Sequence, residues 1–332
     1  MLGSSEVALC RAYDLAMLDL DGVVYVGGDA IEGAAEHLAA ARAAGMRLAF
    51  VTNNASRSPR TVAEHLADLG VAAEEADVVT SAQAAARLAV DRVGPGTPVV
   101  CLGADGLREA LHEVGLTPVD VADEAAAIVT GYGPEVRWSE IMRAAVRIRD
   151  GLPWIASNTD LTFPASFGIA PGHGVQVEML RRFSGVDPAV AGKPARPLLD
   201  ETVRRVGGRR PLMVGDRLDT DIEGARAAGL DSLLVLTGVT GLSELVAAGE
   251  GLRPTYLARD LSGLHGEHRA PESTAAGYTL GGWHATAADG ALEVVGEGDP
   301  DDWWRVVATT AWAHLDGTGT PVRLSGVQAP TR

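Results

Sequence analysis

Short apolar runs alternate with Ala-rich stretches of helical period from residue 15 to about residue 260. "LAMLDL", "RLAFVT", "DVVTS", "PVVCLG", "AAIVTG", "WIASN", "PLMVG" and "SLLVLT" have the length and apolar content of buried strands. Between them, "GAAEHLAAARAAG", "SPRTVAEHLADLG", "RWSEIMRAAVRIRDG" and "TDIEGARAAG" read as helices, and several close on Gly, a frequent helix C-terminal residue. Apolar strands alternating with helices predict parallel βαβ units covered on both faces, a doubly wound α/β fold. Ligands of such sheets sit at the carboxyl ends of the strands, so the polar residues that close each run are the candidates for chemistry.

The pattern changes after residue 264. "HGEHRAPESTAAG" is polar, carries Pro and Gly, and reads as a linker. "YTLGGWHATAADGALEVVG" predicts a hairpin turning at "ADG". "DPDDWWRVVATTAWAHLDG" predicts an amphipathic helix whose tryptophans form the core of a small α+β extension, and "TPVRL" a last strand.

Composition narrows the function classes. The 332 residues carry 44 acidic and 28 basic side chains, a formal net charge of −16. That balance argues against nucleic acid or an anionic membrane surface as partner. No window approaches the roughly 20 apolar residues of a membrane span. "MLGSSEVALCRAYD" lacks the basic and apolar segments of a signal peptide, so a cytoplasmic protein is expected. Cys10 and Cys101, far apart and outside any CxxC, read as packed thiols.

Four strand ends hold the candidate chemistry. In "AMLDLDGVVYVGG" an apolar run ends in Asp19 and Asp21, which strand alternation would direct to one side while Leu20 packs on the other. Paired carboxylates suit a hard divalent cation such as Mg²⁺. "FVTNNASRS" follows with Thr52, Asn53 and Asn54, small polar groups able to hold a phosphate. "AGKPARP" places Lys193 ahead of a helical stretch, and "LMVGDRLDTDIEGARAAG" ends a strand in Asp216. Beyond it, Asp219 reads as a helix cap, while Asp221 is open between a structural role and support of the metal through water.

This ordered set resembles the haloacid dehalogenase (HAD) superfamily phosphatases, whose four motifs "DLDGVVY", "VTNNASRS", "GKP" and "VGDRLDTDI" match. "TNN", "SNTDLTFP" and "GKP" resemble the NagD-like, p-nitrophenylphosphatase-like branch with a large α/β cap. The likeness covers residues 14 to about 262, and the tail resembles that of actinobacterial glycerol 3-phosphate phosphatases.

The resemblance implies a doubly wound parallel-sheet core in 1–81 and 189–263, a cap in 82–188, and a linker with a C-terminal extension in 264–332. It implies Asp19 as nucleophile forming an aspartyl-phosphate, and Asp21 as general acid and then base. Superfamily ATPases carry Thr at the second of these positions and dehalogenases lack the acid, so Asp21 favours a phosphatase. Mg²⁺ would be held by Asp19, the Asp21 carbonyl and Asp216. Thr52, Asn53, Asn54, Lys193 and the Gly22 N–H would bind the phosphate. Asn158, Asp160 and His173 of the cap are candidate leaving-group contacts, His173 with a loop-structural role equally open.

The expected substrate is a small phosphate monoester, glycerol 3-phosphate first, with 2-phosphoglycolate, pyridoxal phosphate or a nucleotide as alternatives. A homodimer is compatible with the likeness. The different class of function is a phosphate-binding or regulatory protein with the tail as interaction module.

Overall fold

All eight apolar runs become strands of parallel sheets, and the Ala-rich stretches become helices. The computed structural model describes residues 1–165 and 167–330, apart from the side chain of Pro164. By internal contacts the chain forms two units, residues 1–48 with 208 onward, and residues 49–207. The division falls within the strand Arg47–Thr52.

In the first unit the parallel strands Tyr256–Ala258, Asp231–Val235, Pro211–Gly215 and Leu15–Leu18 lie side by side in that order. Leu15 to Leu18 are fully buried, which explains a run with no polar position. The register sets Leu18 opposite Val214. The residues immediately after both, the carboxylates among them, therefore leave the sheet at neighbouring points.

The second unit holds a five-stranded parallel sheet in the order Ala189–Val190, Trp154–Ala156, Ile128–Thr130, Pro98–Leu102, Thr117–Val119. Its core includes Val100, Ile128, Ile148, Trp154 and Leu180. The helix Ser81–Val93 starts at Thr80, whose hydroxyl accepts from the Gln83 N–H while the Gln83 side chain accepts from the Thr80 N–H. The unit takes in the Thr52 and Lys193 segments along with the 82–188 insertion.

The tail belongs to the first unit. Glu272–Ser273, Gly277–Leu280, Trp283–Ala288 and Ala291–Gly296 form an antiparallel sheet covered by the helix Pro300–Thr318. The hairpin turns at Asp289 and Gly290, both at positive φ, as "ADG" predicts. Trp303 and Trp312 are core residues. Two expectations fail. "TPVRL" makes one isolated bridge, Arg323 with Ala291, because Pro321 brings no N–H to a ladder. The stretch read as a linker is pinned instead: Ser5 pairs with His268, and the His268 side chain is buried.

Polar residues do the pinning. His268 Nε2 donates to the Gly263 carbonyl at 2.7 Å, which leaves Nδ1 to accept from Arg305 at 3.3 Å. Arg305 also donates to the Leu257 carbonyl at 3.1 Å and to Asp302 at 3.1 Å, and Asp302 accepts from Arg269 at 2.8 Å. Burial first, and the Arg305 charge second, push His268 down to about 4.

This fixes a pH dependence. The unfolded chain protonates His268 near its ordinary value, about 6.5, and the folded chain does not until about 4. Between those values the unfolded state binds the extra proton, so stability falls as pH drops, by up to about 1.4 kcal/mol per unit per histidine. Urea melts at pH 7 and pH 5 will show this loss, with a shallower slope in His268→Gln. An equal slope in the variant would contradict the buried neutral imidazole.

Candidate active site

The strand Leu15–Leu18 ends one residue before the acidic pair. The Asp19 N–H still donates to the Val214 carbonyl at 2.9 Å, and the chain then turns, with the Val24 N–H on the Leu20 carbonyl at 2.9 Å. A turn, and not strand alternation, therefore presents the two carboxylates. Asp19 is half-buried and Asp21 exposed.

The neighbouring strand delivers Asp216, fully buried, and the π-helical turn Leu218–Ile222 delivers Asp221, also fully buried. One carboxylate oxygen from each of Asp19, Asp216 and Asp221 lies within 4.8 Å of the other two. Asp216 Oδ2 accepts from the Val239 N–H at 2.6 Å, and its carbonyl from the Thr240 N–H at 3.2 Å. Asp221 Oδ2 accepts from the Arg217 N–H at 3.1 Å. A Cβ at Gly22 (φ +84°) or at Gly238 would overlap the Asp216 carboxylate, so both positions must lack a side chain.

Three converging carboxylates are a hard oxygen donor set of the kind that fits Mg²⁺ or Ca²⁺. The structure narrows one reading and corrects two others. Asp221 stands within the carboxylate set. Asp219 caps no helix; it is exposed and pairs with Arg217 at 2.8 and 3.1 Å. The Gly22 N–H, expected for a phosphate, donates to the Tyr25 carbonyl at 2.8 Å and closes the turn.

The second unit gathers the other polar motifs around Asn53. Its Oδ1 accepts from the Lys193 N–H at 2.8 Å. Its amide nitrogen donates to the Lys193 carbonyl and to Asp160 Oδ1, both at 3.0 Å. The Asn53 carbonyl accepts from Asn158 Nδ2 at 2.7 Å and from Ser81 Oγ at 2.5 Å. Both amide hydrogens of Asn53 are thus engaged by protein.

Asn53 and Asn158 therefore brace the Lys193 segment, with its cis Lys193–Pro194 bond, instead of reaching outward. Lys193 itself is 2% exposed. The Thr52 hydroxyl accepts from the Asn54 N–H at 3.1 Å, and the exposed Asn54 holds Ser56 through Oδ1 at 2.8 and 2.7 Å.

His173 lies in the core of this unit. It opens the helix His173–Ser184, its Nε2 is 3.2 Å from the Thr130 hydroxyl, and burial pushes it down to about 4. His173 and Asn158 are both buried, so of the candidate leaving-group contacts Asp160 alone is half-buried. Ser81 and the 237–241 loop were missed by motif reading. Ser81 opens the helix Ser81–Val93 and looks like an ordinary first-turn residue, and the loop acts mainly through backbone N–H groups that no side-chain pattern announces.

Comparison with known proteins places this arrangement. Residues 16–117 match the family described as haloacid dehalogenase-like hydrolase, and residues 190–264 the one described as HAD-hydrolase-like. Over 300 residues the chain is 44% identical to the D-glycerol 3-phosphate phosphatase of Mycobacterium tuberculosis, covering 89% of this chain and 82% of that protein. The crystal structure of the M. tuberculosis glycerol phosphate phosphatase in complex with magnesium is similar with a TM-score of 0.86 at 42% identity, covering 96% of this chain and 94% of that one. The p-nitrophenyl phosphatase of Archaeoglobus fulgidus is similar with a TM-score of 0.70 at 31% identity, covering 76% of this chain and 98% of that one. The chain belongs to the haloacid dehalogenase-like hydrolases.

Proposed function

We propose that the protein is a Mg²⁺-dependent phosphatase that hydrolyses glycerol 3-phosphate through a covalent phosphate on Asp19. The observation that carries the reading is the convergence of Asp19, Asp216 and Asp221 at the ends of two adjacent strands. Such a set is a poor structural device and a good cation site. The substrate follows the likeness to the M. tuberculosis enzyme.

In this reading an Asp19 carboxylate oxygen attacks phosphorus, the ester P–O bond breaks, and Asp21 gives its proton to the departing alcohol. Asp21 then takes a proton from the water that hydrolyses the aspartyl-phosphate, which returns Asp19 and releases inorganic phosphate. Exposure suits Asp21 to trading protons with a mobile alcohol and with water. Mg²⁺, held by Asp19, Asp216, Asp221 and the Asp21 carbonyl, would neutralise the charge that otherwise keeps a phosphate dianion from a carboxylate.

Lys193 supplies the second positive charge, fixed in place by Asn53. Thr52 and the backbone N–H groups of its loop are assigned to the phosphate oxygens. Choice of alcohol is assigned to the 82–188 insertion, in which Asp160 is the polar candidate.

Phosphate release with Mg²⁺ and with EDTA tests the reading. Glycerol 3-phosphate will be hydrolysed only with the metal, with a kcat/KM at least tenfold above 2-phosphoglycolate, pyridoxal phosphate and nucleoside monophosphates. Asp19→Asn will reduce turnover by at least about a hundredfold, since it removes the nucleophile with little change of shape. Ca²⁺ will support much less turnover, because its larger and looser coordination shifts the reacting groups. Another ester at the head of the panel would overturn the substrate, and turnover in EDTA would overturn the metal.

A further inference from the structure

The C-terminal extension shares a core with the metal-site segments. Trp312 and Ala308 of the helix Pro300–Thr318 pack in one buried cluster with Leu218 and Ile222, the two ends of the π-helical turn that carries Asp221. Leu245 belongs to the same cluster, and Leu236 packs against it. Those two leucines bracket the loop whose Val239 and Thr240 N–H groups hold Asp216.

A polar bond reinforces the second route. The Trp312 indole N–H donates to the Leu245 carbonyl at 2.7 Å. Leu245 in turn donates to the Gly241 carbonyl at 3.0 Å, which anchors the end of the Asp216 loop. The loop also reaches Asp19's own turn, since the Thr237 hydroxyl donates to the Gly22 carbonyl at 2.5 Å. Arg253 also lies over the indole, its guanidinium carbon 5.3 Å from the ring centroid. Arg253 is held by Asp316 at 2.7 and 2.8 Å and by the Ala248 carbonyl at 3.0 Å.

We infer that Trp312 is a positioning residue for the metal site, acting through Ile222 and Leu218 on Asp221 and through Leu245 on the Asp216 loop. The inference rests on the reading of these carboxylates as the Mg²⁺ ligands. Its physical basis is that like charges this close hold their geometry only while the backbone beneath them is immobile. A truncated indole opens a cavity in the cluster that both segments share, and close-packed surroundings relax toward it. The extension is in this view part of the phosphatase core, a working role that its separate sheet conceals.

Three variants test this, each measured for Mg²⁺ dissociation constant by titration calorimetry, for Tm, and for KM at saturating Mg²⁺. Trp312→Leu removes both the ring and the N–H and will weaken Mg²⁺ binding at least fivefold. Trp312→Phe keeps a ring and loses the bond to Leu245, and will weaken it two- to threefold. KM for glycerol 3-phosphate will stay within twofold in both. Leu292→Ala, in the extension's own sheet core, will lower Tm while leaving the Mg²⁺ constant within twofold of wild type.

If Trp312→Leu does not fold, Trp312→Phe decides the matter. A folded Trp312 variant that binds Mg²⁺ as wild type does, whatever its Tm, overturns the inference alone. So does weakening by Leu292→Ala to the same degree, which would make the effect one of general stability. Wild-type protein that binds no Mg²⁺ overturns both the inference and the functional reading beneath it.

Discussion

Three carboxylates that cannot escape one another organise the first unit. Asp216 and Asp221 are fully buried, and an oxygen of each lies within 4.8 Å of the other and of Asp19. At the outer limit of that separation each pair of charges repels by about 3.5 kcal/mol at an effective dielectric of about 20, less where the half-exposed Asp19 is screened by water. Against a typical net stability of about 5–15 kcal/mol this is a large local cost. The fold accepts it through register and loop: adjacent parallel strands release Asp19 and Asp216 side by side, and backbone N–H groups of Val239, Thr240 and Arg217 fix the acids. Two glycines leave the room that the Asp216 carboxylate needs.

The second unit solves a different problem, the burial of a lysine. Lys193 is held by backbone contacts to one asparagine, and that asparagine is held by Asn158 and Ser81. Polar groups that look in sequence like ligands for a phosphate serve largely as each other's ligands. This division is common where a charged group must be presented rigidly, because the residue that touches the ligand needs others that do not.

What could be read from the sequence followed from patterns in side chains. The inner strands of both sheets stand out as apolar runs, while the short edge strands Tyr256–Ala258, Thr117–Val119 and Ala189–Val190 do not, and the acids and the lysine stand where strand-end logic places chemistry. Asp221 was harder, because whether it or Asp219 joins the cluster depends on a π-helical turn that periodicity cannot anticipate. The Gly22 N–H was misassigned for a similar reason: its partner is a carbonyl three residues on, and carbonyls have no sequence signature. The polar stretch after residue 264 looked like a linker because composition does not distinguish a solvated histidine from one that bonds Gly263 and Arg305 in the interior.

In the proposed reading a divalent cation relieves the conflict among the three carboxylates. Thermal unfolding at pH 7 of wild type and Asp216→Asn, in EDTA and across a Mg²⁺ series, tests it directly. Mg²⁺ will raise the wild-type Tm progressively with concentration, as binding to the folded state alone requires. Asp216→Asn will show no such rise yet melt in EDTA at or above the wild-type temperature, one repelling charge having been removed. A wild-type Tm indifferent to Mg²⁺, or an Asp216→Asn variant less stable than wild type in EDTA, would contradict it.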